Sequence, residues 1–335
     1  MGDNTTRWDP LIVAALMERG LTPRELRDAV RTHQSHTEWF EHNPHHADTP
    51  AVSLSDDMWA IAIDDDLYPK HLANSTLAPP PVLYGRGNIH ALSNIGIAII
   101  GTRRMSKLGE NVAGAAAQGA ARNNTPIISG LADGCDQAAH QAALDLGLQT
   151  VAVLACGADL CYPPHAAEIA NNIIKNSGAI ISEQPCGTKI SAPRLMARNR
   201  IIVGLSAAVV VAEAAIDSRG TIGAIGCAVA NGTPIIVAKP RGQWQNHPGA
   251  QLPLLLADEH GIDPQRFGWT GNAAKNCWKH APLAAATADD RDTLGDYIDL
   301  YVRFSGTNTN QTGEPSKSGP KSKTDAGHQM AAADS

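Results

Sequence analysis

At 335 residues the chain is long enough for one large core with small flanking pieces, and 43% of it is apolar while only 4% is aromatic. The core must therefore be built from Ala, Ile, Val and Leu, which suit parallel strands covered on both faces. A formal charge of −6 excludes a uniformly basic nucleic-acid binder, and no apolar run reaches the ~18 residues of a membrane span.

The opening MGDNTTRWDP has no basic stretch followed by an apolar one, so no secretory signal is expected and the protein reads as cytoplasmic. Residues 1–50 read as a small helical region and linker. Leu11, Ile12, Ala15 and Leu16 share one helical face, and Gly20 stops that helix. A second helix follows, with Thr22 as N-cap, Pro23 at N1 and Glu25 at N3, a capping-box spacing. The His-rich stretch at 33–46 is crowded by Pro, Asn and Asp and reads as a polar linker, not a metal site. Cysteines 135, 156, 161, 186, 227 and 277 include no C-x-x-C pair, so they read as reduced thiols without a disulfide frame or zinc.

From residue 97 the pattern becomes regular. Strands are predicted at 97–101, 126–129, 150–155, 179–182, 207–213 and 234–239. Helices are predicted between them near 109–122, 134–147, 164–177, 196–204 and 221–231. This alternation predicts an extended Rossmann-like α/β domain over 60–240, with a doubly wound parallel sheet. A C-terminal extension covers 241–304, where Leu294, Tyr297, Ile298, Tyr301 and Val302 mark a last amphipathic helix. The composition of 305–335 predicts a disordered tail.

Charge is segregated along the chain. Residues 67–109 and 184–212 hold nine of the 27 Lys and Arg residues and none of the 33 acidic ones. If the two windows meet in space, a basic face sits on an acidic body, and the local field governs binding.

Ligands on doubly wound sheets bind outside the carboxyl ends of the strands, and every polar or Gly-rich loop here falls at such an end. The first loop carries Gly101, Thr102, Arg103, Arg104 and Lys107 and leads into a helix N-terminus, a natural anion site. It is not G-x-G-x-x-G, and Ser129-Gly130 stands where a ribose-binding acid would end the second strand, so no dinucleotide cofactor is expected. The second loop, from Ser129 and Gly130, runs into a helix with Asp136 and His140 four residues apart, expected as a structural hydrogen-bonded pair. The third spans 156–164 and carries Tyr162, the one obvious aromatic platform at this edge. The fourth, 182–187, leads to Arg194, Arg198, Asn199 and Arg200. Arg198 and Arg200 point in different directions on a helix, so one is expected against a carboxylate such as Glu183 or Glu213 and the other toward ligand. The fifth offers Arg219 and Gly220. Several anion-friendly turns in a row suit a phosphodiester chain tracked along a groove, and no catalytic constellation is complete, so a binding protein is expected and not an enzyme.

Taken in series, these motifs resemble the DNA-processing protein A (DprA, or Smf) family. The matching residues are Tyr68-Pro69, PPPVLYGRG at 79–87, GTRR at 101–104, SGLADGCDQAAH at 129–140, VAVLACGADLCYP at 151–163, ISEQP at 181–185 and RNRIIVGLS at 198–206. The resemblance implies a single-stranded DNA-binding protein that acts as a dimer. It would help load a RecA-type recombinase during natural transformation. By that analogy Arg103 contacts DNA, and so do Lys189 and Arg194 in the basic stretch before RNR. Three departures stand out: Leu195-Met196 in place of Phe-Pro, SRGTIGA at 218–224 in place of Ser-Gly-Ser-Leu-Ile-Thr-Ala, and Lys239-Pro240-Arg241-Gly242 where the family has Pro-Gly after the last strand. The family's frequent C-terminal winged helix is not recognisable. The alternative is a nucleotide-binding or nucleotide-processing protein related to the LOG phosphoribohydrolases. Their P-G-G-x-G-T-x-x-E motif would place its glutamate at Ala224, so the carboxylate that hydrolysis needs is missing.

Overall fold

The computed structural model describes residues 7–240, 242–257, 283–287 and 291–307. Its centre is the parallel sheet that the apolar runs predict: β3 (Gly96–Gly101), β4 (Ile127–Ser129), β5 (Thr150–Val153), β6 (Ala179–Ser182), β7 (Ser206–Glu213) and β8 (Ile235–Lys239). Helices α5 (Lys107–Ala121), α6 (Cys135–Asp145), α7 (Ala167–Lys175), α8 (Ala192–Gly204) and α9 (Arg219–Asn231) connect them. Side chains alternate between the two faces. Ile97, Ile99, Ala208 and Val210 pack with α5 and α6, whereas Ala98, Ile100, Val209 and Val211 pack with α8 and α9.

Three strands went unread in the sequence. β1 (Met58–Ala62) pairs antiparallel with β2 (Val82–Gly87), which pairs antiparallel with β6. The sheet also extends at its other side by β9 (Leu283–Thr287), parallel to β8. The order is β1-β2-β6-β5-β4-β3-β7-β8-β9.

The N-terminal helices α1 (Pro10–Glu18) and α2 (Pro23–Thr32) form as predicted. Thr22 and Glu25 make the reciprocal capping box. The His-rich stretch departs from its expectation as a linker, because residues His36–His42 form a third helix, α3, capped by Ser35. Its Trp39 is buried with Trp8 against Ala62, Val82 and Tyr84, and stacks on His46 with ring centroids 5.3 Å apart. That burial, invisible in a polar composition, holds the helix. Among the described residues no group of three or more His, Cys, Asp or Glu side chains could hold a metal ion.

A short helix, α4 (Lys70–Ala73), precedes β2, and α10 (Gln251–Ala257) follows β8. The last amphipathic helix is α11 (Arg291–Thr307), with Leu294 and Ile298 buried against the α5 face of the sheet. It lies close to α5, since a Cβ on Gly119 would stand 2.9 Å from the Gly295 Cα. Arg122 seals the contact through Asp296 at 2.9 Å and Asp292 at 3.2 Å. The tail expected from 305 onward begins inside this helix, and 308–335 lie outside the described residues. Among the described residues no helix is long and apolar enough to cross a membrane.

Candidate functional site

After β3 the chain turns to β4 on one side, and after β7 it turns to β8 on the other, although β3 and β7 are neighbours. Their outgoing loops therefore diverge and leave a crevice at the carboxyl edge. A cleft of about 650 Å³ fills this switch point. Its walls are the loop Gly101–Arg104, the first half of α8 and the start of α9 at Ser218–Thr221. The two acid-free windows do meet here, the first through Arg103 and Arg104, the second through Arg198.

The Arg103 loop is held from below by Glu213, which ends β7 and is 1% exposed. The Glu213 carbonyl accepts from Thr102 N–H at 2.7 Å. Its Oε2 accepts from the Ser106 N–H and hydroxyl, each at 2.9 Å, and from Gly109 N–H at 3.0 Å. A carboxylate thus sits on the first turn of α5, where free N–H groups and the helix dipole favour it. On the far side the His247 ring lies 3.5 Å from Oε1. Gly134, at φ +77°, lets the Thr102–Arg103 backbone pass where a side chain would collide with it. The clamped backbone leaves the Arg103 and Arg104 side chains exposed.

The floor of the cleft is a buried ion pair. Arg198, 6% exposed, donates through Nη1 to the Val153 carbonyl at 3.0 Å and places Nη2 3.6 Å from Asp136 Oδ2. Its guanidinium lies flat on Gly130, where any Cβ would overlap it. Burial pushes the Asp136 carboxyl up and Arg198 down, and their mutual attraction opposes both shifts. The expected Asp136–His140 pair does not form. His140 Nδ1 instead meets the Thr150 hydroxyl at 2.7 Å, and that hydroxyl donates to the Ile127 carbonyl at 2.8 Å. The hydroxyl proton is thereby spent, so His140 donates from Nδ1, and its buried Nε2 has no partner among the described residues.

Other sequence candidates fall into distinct places. Arg219 and Gly220 lie on the cleft wall, with Gly220 held by Asn199 Nδ2 donating to its carbonyl at 3.2 Å. Arg200 pairs with Glu183 and Arg198 with Asp136, so both of these α8 arginines meet a carboxylate where one was expected to, and of the two only Arg198 lines the cleft. Lys107 pairs with Glu110 at 2.8 Å on the exposed side of α5. Ser129 is buried and donates to the Ile99 carbonyl at 2.6 Å. Lys189 and Arg194 lie outside the cleft lining, and Arg194 donates to the Lys189 carbonyl at 2.8 Å.

The sequence also left residues unread. Leu195 and Met196 line the cleft. Met196 is 43% exposed, and its methyl group rests against Gly223. The departure from Phe-Pro at these positions was the available signal. Beyond Arg103 a small recess of about 40 Å³ adjoins the cleft and shares Arg103, Ala132 and Leu195 with it. The Cys135 thiol beneath the loop is pushed up to about 12 by burial, which leaves it inert near neutral pH.

The family model for DNA recombination-mediator protein A matches residues 59–254. The chain belongs to that family. The match runs from β1 into α10 and leaves α1 to α3 outside. Protein Smf of Escherichia coli is 30% identical over 277 residues, which cover 78% of this chain and 69% of that protein. The DNA processing protein DprA of Streptococcus pneumoniae is 39% identical over 163 residues, 49% of this chain and 57% of the relative. Protein Smf of Synechocystis is 41% identical over 155 residues, 45% of this chain and 38% of the relative. The solved S. pneumoniae DprA structure shares the fold of this DNA recombination-mediator family member at a TM-score of 0.55 and 24% identity, over 84% of this chain and 92% of that one. DNA processing protein A from Helicobacter pylori does so at 0.51 and 23%, over 67% and 97%.

Proposed function

We propose that the protein binds single-stranded DNA along the carboxyl edge of its sheet and has no catalytic step of its own. One observation carries this reading. Arg103, Arg104 and Arg219 are exposed around one cleft, and among the described residues none of their side chains has a hydrogen-bond or ion-pair partner. Exposed guanidiniums that no carboxylate neutralises are suited to backbone phosphates. The apolar Leu195 and Met196 beside them offer a surface for a base. The solved H. pylori relative is a single-stranded DNA-binding protein, which supports the same ligand here. On the family's description as a recombination mediator, the bound strand would be passed to a RecA-type recombinase in DNA uptake, with the protein acting as a cytoplasmic dimer.

A salt titration of fluorescence anisotropy with a labelled ~20-nucleotide strand tests this. Each lost phosphate contact should flatten the log–log slope by roughly 0.7. Arg103→Ala and Arg219→Ala should each do so. Absence of binding by the unmodified protein at low salt would sink the reading. The cleft is also large enough for a mononucleotide. Ala224 lines it where the LOG motif would place its glutamate, so nucleotide binding without hydrolysis is the outcome expected if DNA fails.

A further inference from the structure

Arg103 stands on a ridge between two unlike hollows. On one side is the cleft, with Arg104, Arg198 and Arg219. On the other is the small recess, whose lining includes Tyr162, Pro163, Leu154 and Ile190 and a single carboxylate, Asp133. Among the described residues the recess offers no cation besides Arg103, so it does not suit a second phosphate. At about 40 Å³ it is too small to enclose a nucleotide, and a flat group can lie over it. Tyr162 is 43% exposed at its edge, a large aromatic side chain left in water beside an arginine. Asp133 Oδ1 already accepts from Gln137 Nε2 at 3.1 Å and contacts His165 Nε2 at 2.6 Å. Its Oδ2 has no partner among the described residues and can accept from an exocyclic amine.

We propose that this recess is a base subsite: the nucleotide next to the one whose phosphate meets Arg103 lays its base on Tyr162, with an amino-bearing edge toward Asp133. The inference rests on the reading that single-stranded DNA occupies the neighbouring cleft. Stacking on Tyr162 is tolerant of sequence, because every base has a π-face. Asp133 adds a bias toward cytosine over thymine, since thymine lacks the exocyclic amine.

The experiment compares three oligomers of one length, oligo-dC, oligo-dT and an abasic tetrahydrofuran oligomer, against wild type, Tyr162→Ala, Tyr162→Phe and Asp133→Ala. Tyr162→Ala should weaken both base-bearing oligomers about five- to hundredfold, the range for one base stacked on an aromatic ring. It should leave the abasic oligomer unchanged, and Tyr162→Phe should restore binding. Asp133→Ala should erase the preference for oligo-dC over oligo-dT. An equal loss on the abasic oligomer, or no loss on any oligomer while Arg103→Ala still weakens binding, overturns the subsite and leaves the cleft reading intact. No binding of any oligomer by wild type overturns both.

Discussion

Glu213 and Ser106 are joined twice: one carboxylate oxygen, Oε2, receives both the backbone N–H and the hydroxyl of Ser106, each at 2.9 Å. The same hydroxyl accepts from Leu108 N–H at 3.1 Å, so the cap of α5 and the end of β7 are one hydrogen-bonded unit. The Arg103 loop hangs between them. Its geometry is therefore set by a buried residue that touches neither solvent nor the cleft.

Removal of that carboxylate should loosen the loop before it unfolds the protein. Glu213→Ala leaves the part-buried Ser106 donors and the buried Gly109 N–H unmet, at a cost of about 1–3 kcal/mol. Urea unfolding should report that loss. Single-strand affinity should fall although every arginine is intact, whereas unchanged affinity would detach Glu213 from loop positioning.

A methyl group at Gly130 should expel the Arg198 guanidinium. Gly130→Ala puts its Cβ on Nη1 and breaks both the Val153 bond and the Asp136 pair. Breaking a buried pair costs about 3–5 kcal/mol. In Gly130→Ala/Arg198→Met the second change should cost much less than it does alone, because the guanidinium is already displaced. Simple additivity in the double-mutant cycle would contradict the packing.

Stability should decline on the acid side through His140. Burial, reinforced by Arg198, pushes this imidazole down to about 3, against an ordinary value of 6.5. Between those values the unfolded chain holds a proton that the folded one does not, so stability falls as pH drops from 6.5 toward 3. The slope for one such group approaches about 1.4 kcal/mol per pH unit. Unfolding free energies for wild type and His140→Gln across that window should diverge by nearly one proton's slope. Parallel curves would assign the acid sensitivity to other groups.

The contact of α11 with α5 should tolerate no added bulk. Gly119→Val places carbon within 2.9 Å of the Gly295 backbone, and the helices must separate. Overpacking of this kind costs about 1–3 kcal/mol. Hydrogen exchange should rise first in 291–307, and unaltered protection there would argue against the close approach.

The central sheet was legible because Ile97–Ile100 and Val209–Val211 are uninterrupted apolar runs that only a twice-covered strand uses. β2 was not, because its sequence VLYGRG carries glycines that local propensity assigns to a turn, and its strand character comes from pairing with β6. The Arg103 loop could be read from its glycine and basic residues. The fates of Arg198 and Arg200 could not, since helical spacing says only that they diverge. Which carboxylate waits for each, Asp136 or Glu183, depends on contacts between distant segments.

Ser106 and Glu213 are 107 positions apart in sequence, and everything from β4 to β7 lies between them. The loop that bears Arg103 is thus completed only when the two halves of the sheet have closed on each other. A nascent or cleaved chain that ends before β7 carries all the residues of that loop but lacks the Glu213 carbonyl and carboxylate that clamp it. The charged edge proposed to take a nucleic acid is complete only when the chain's own assembly is finished.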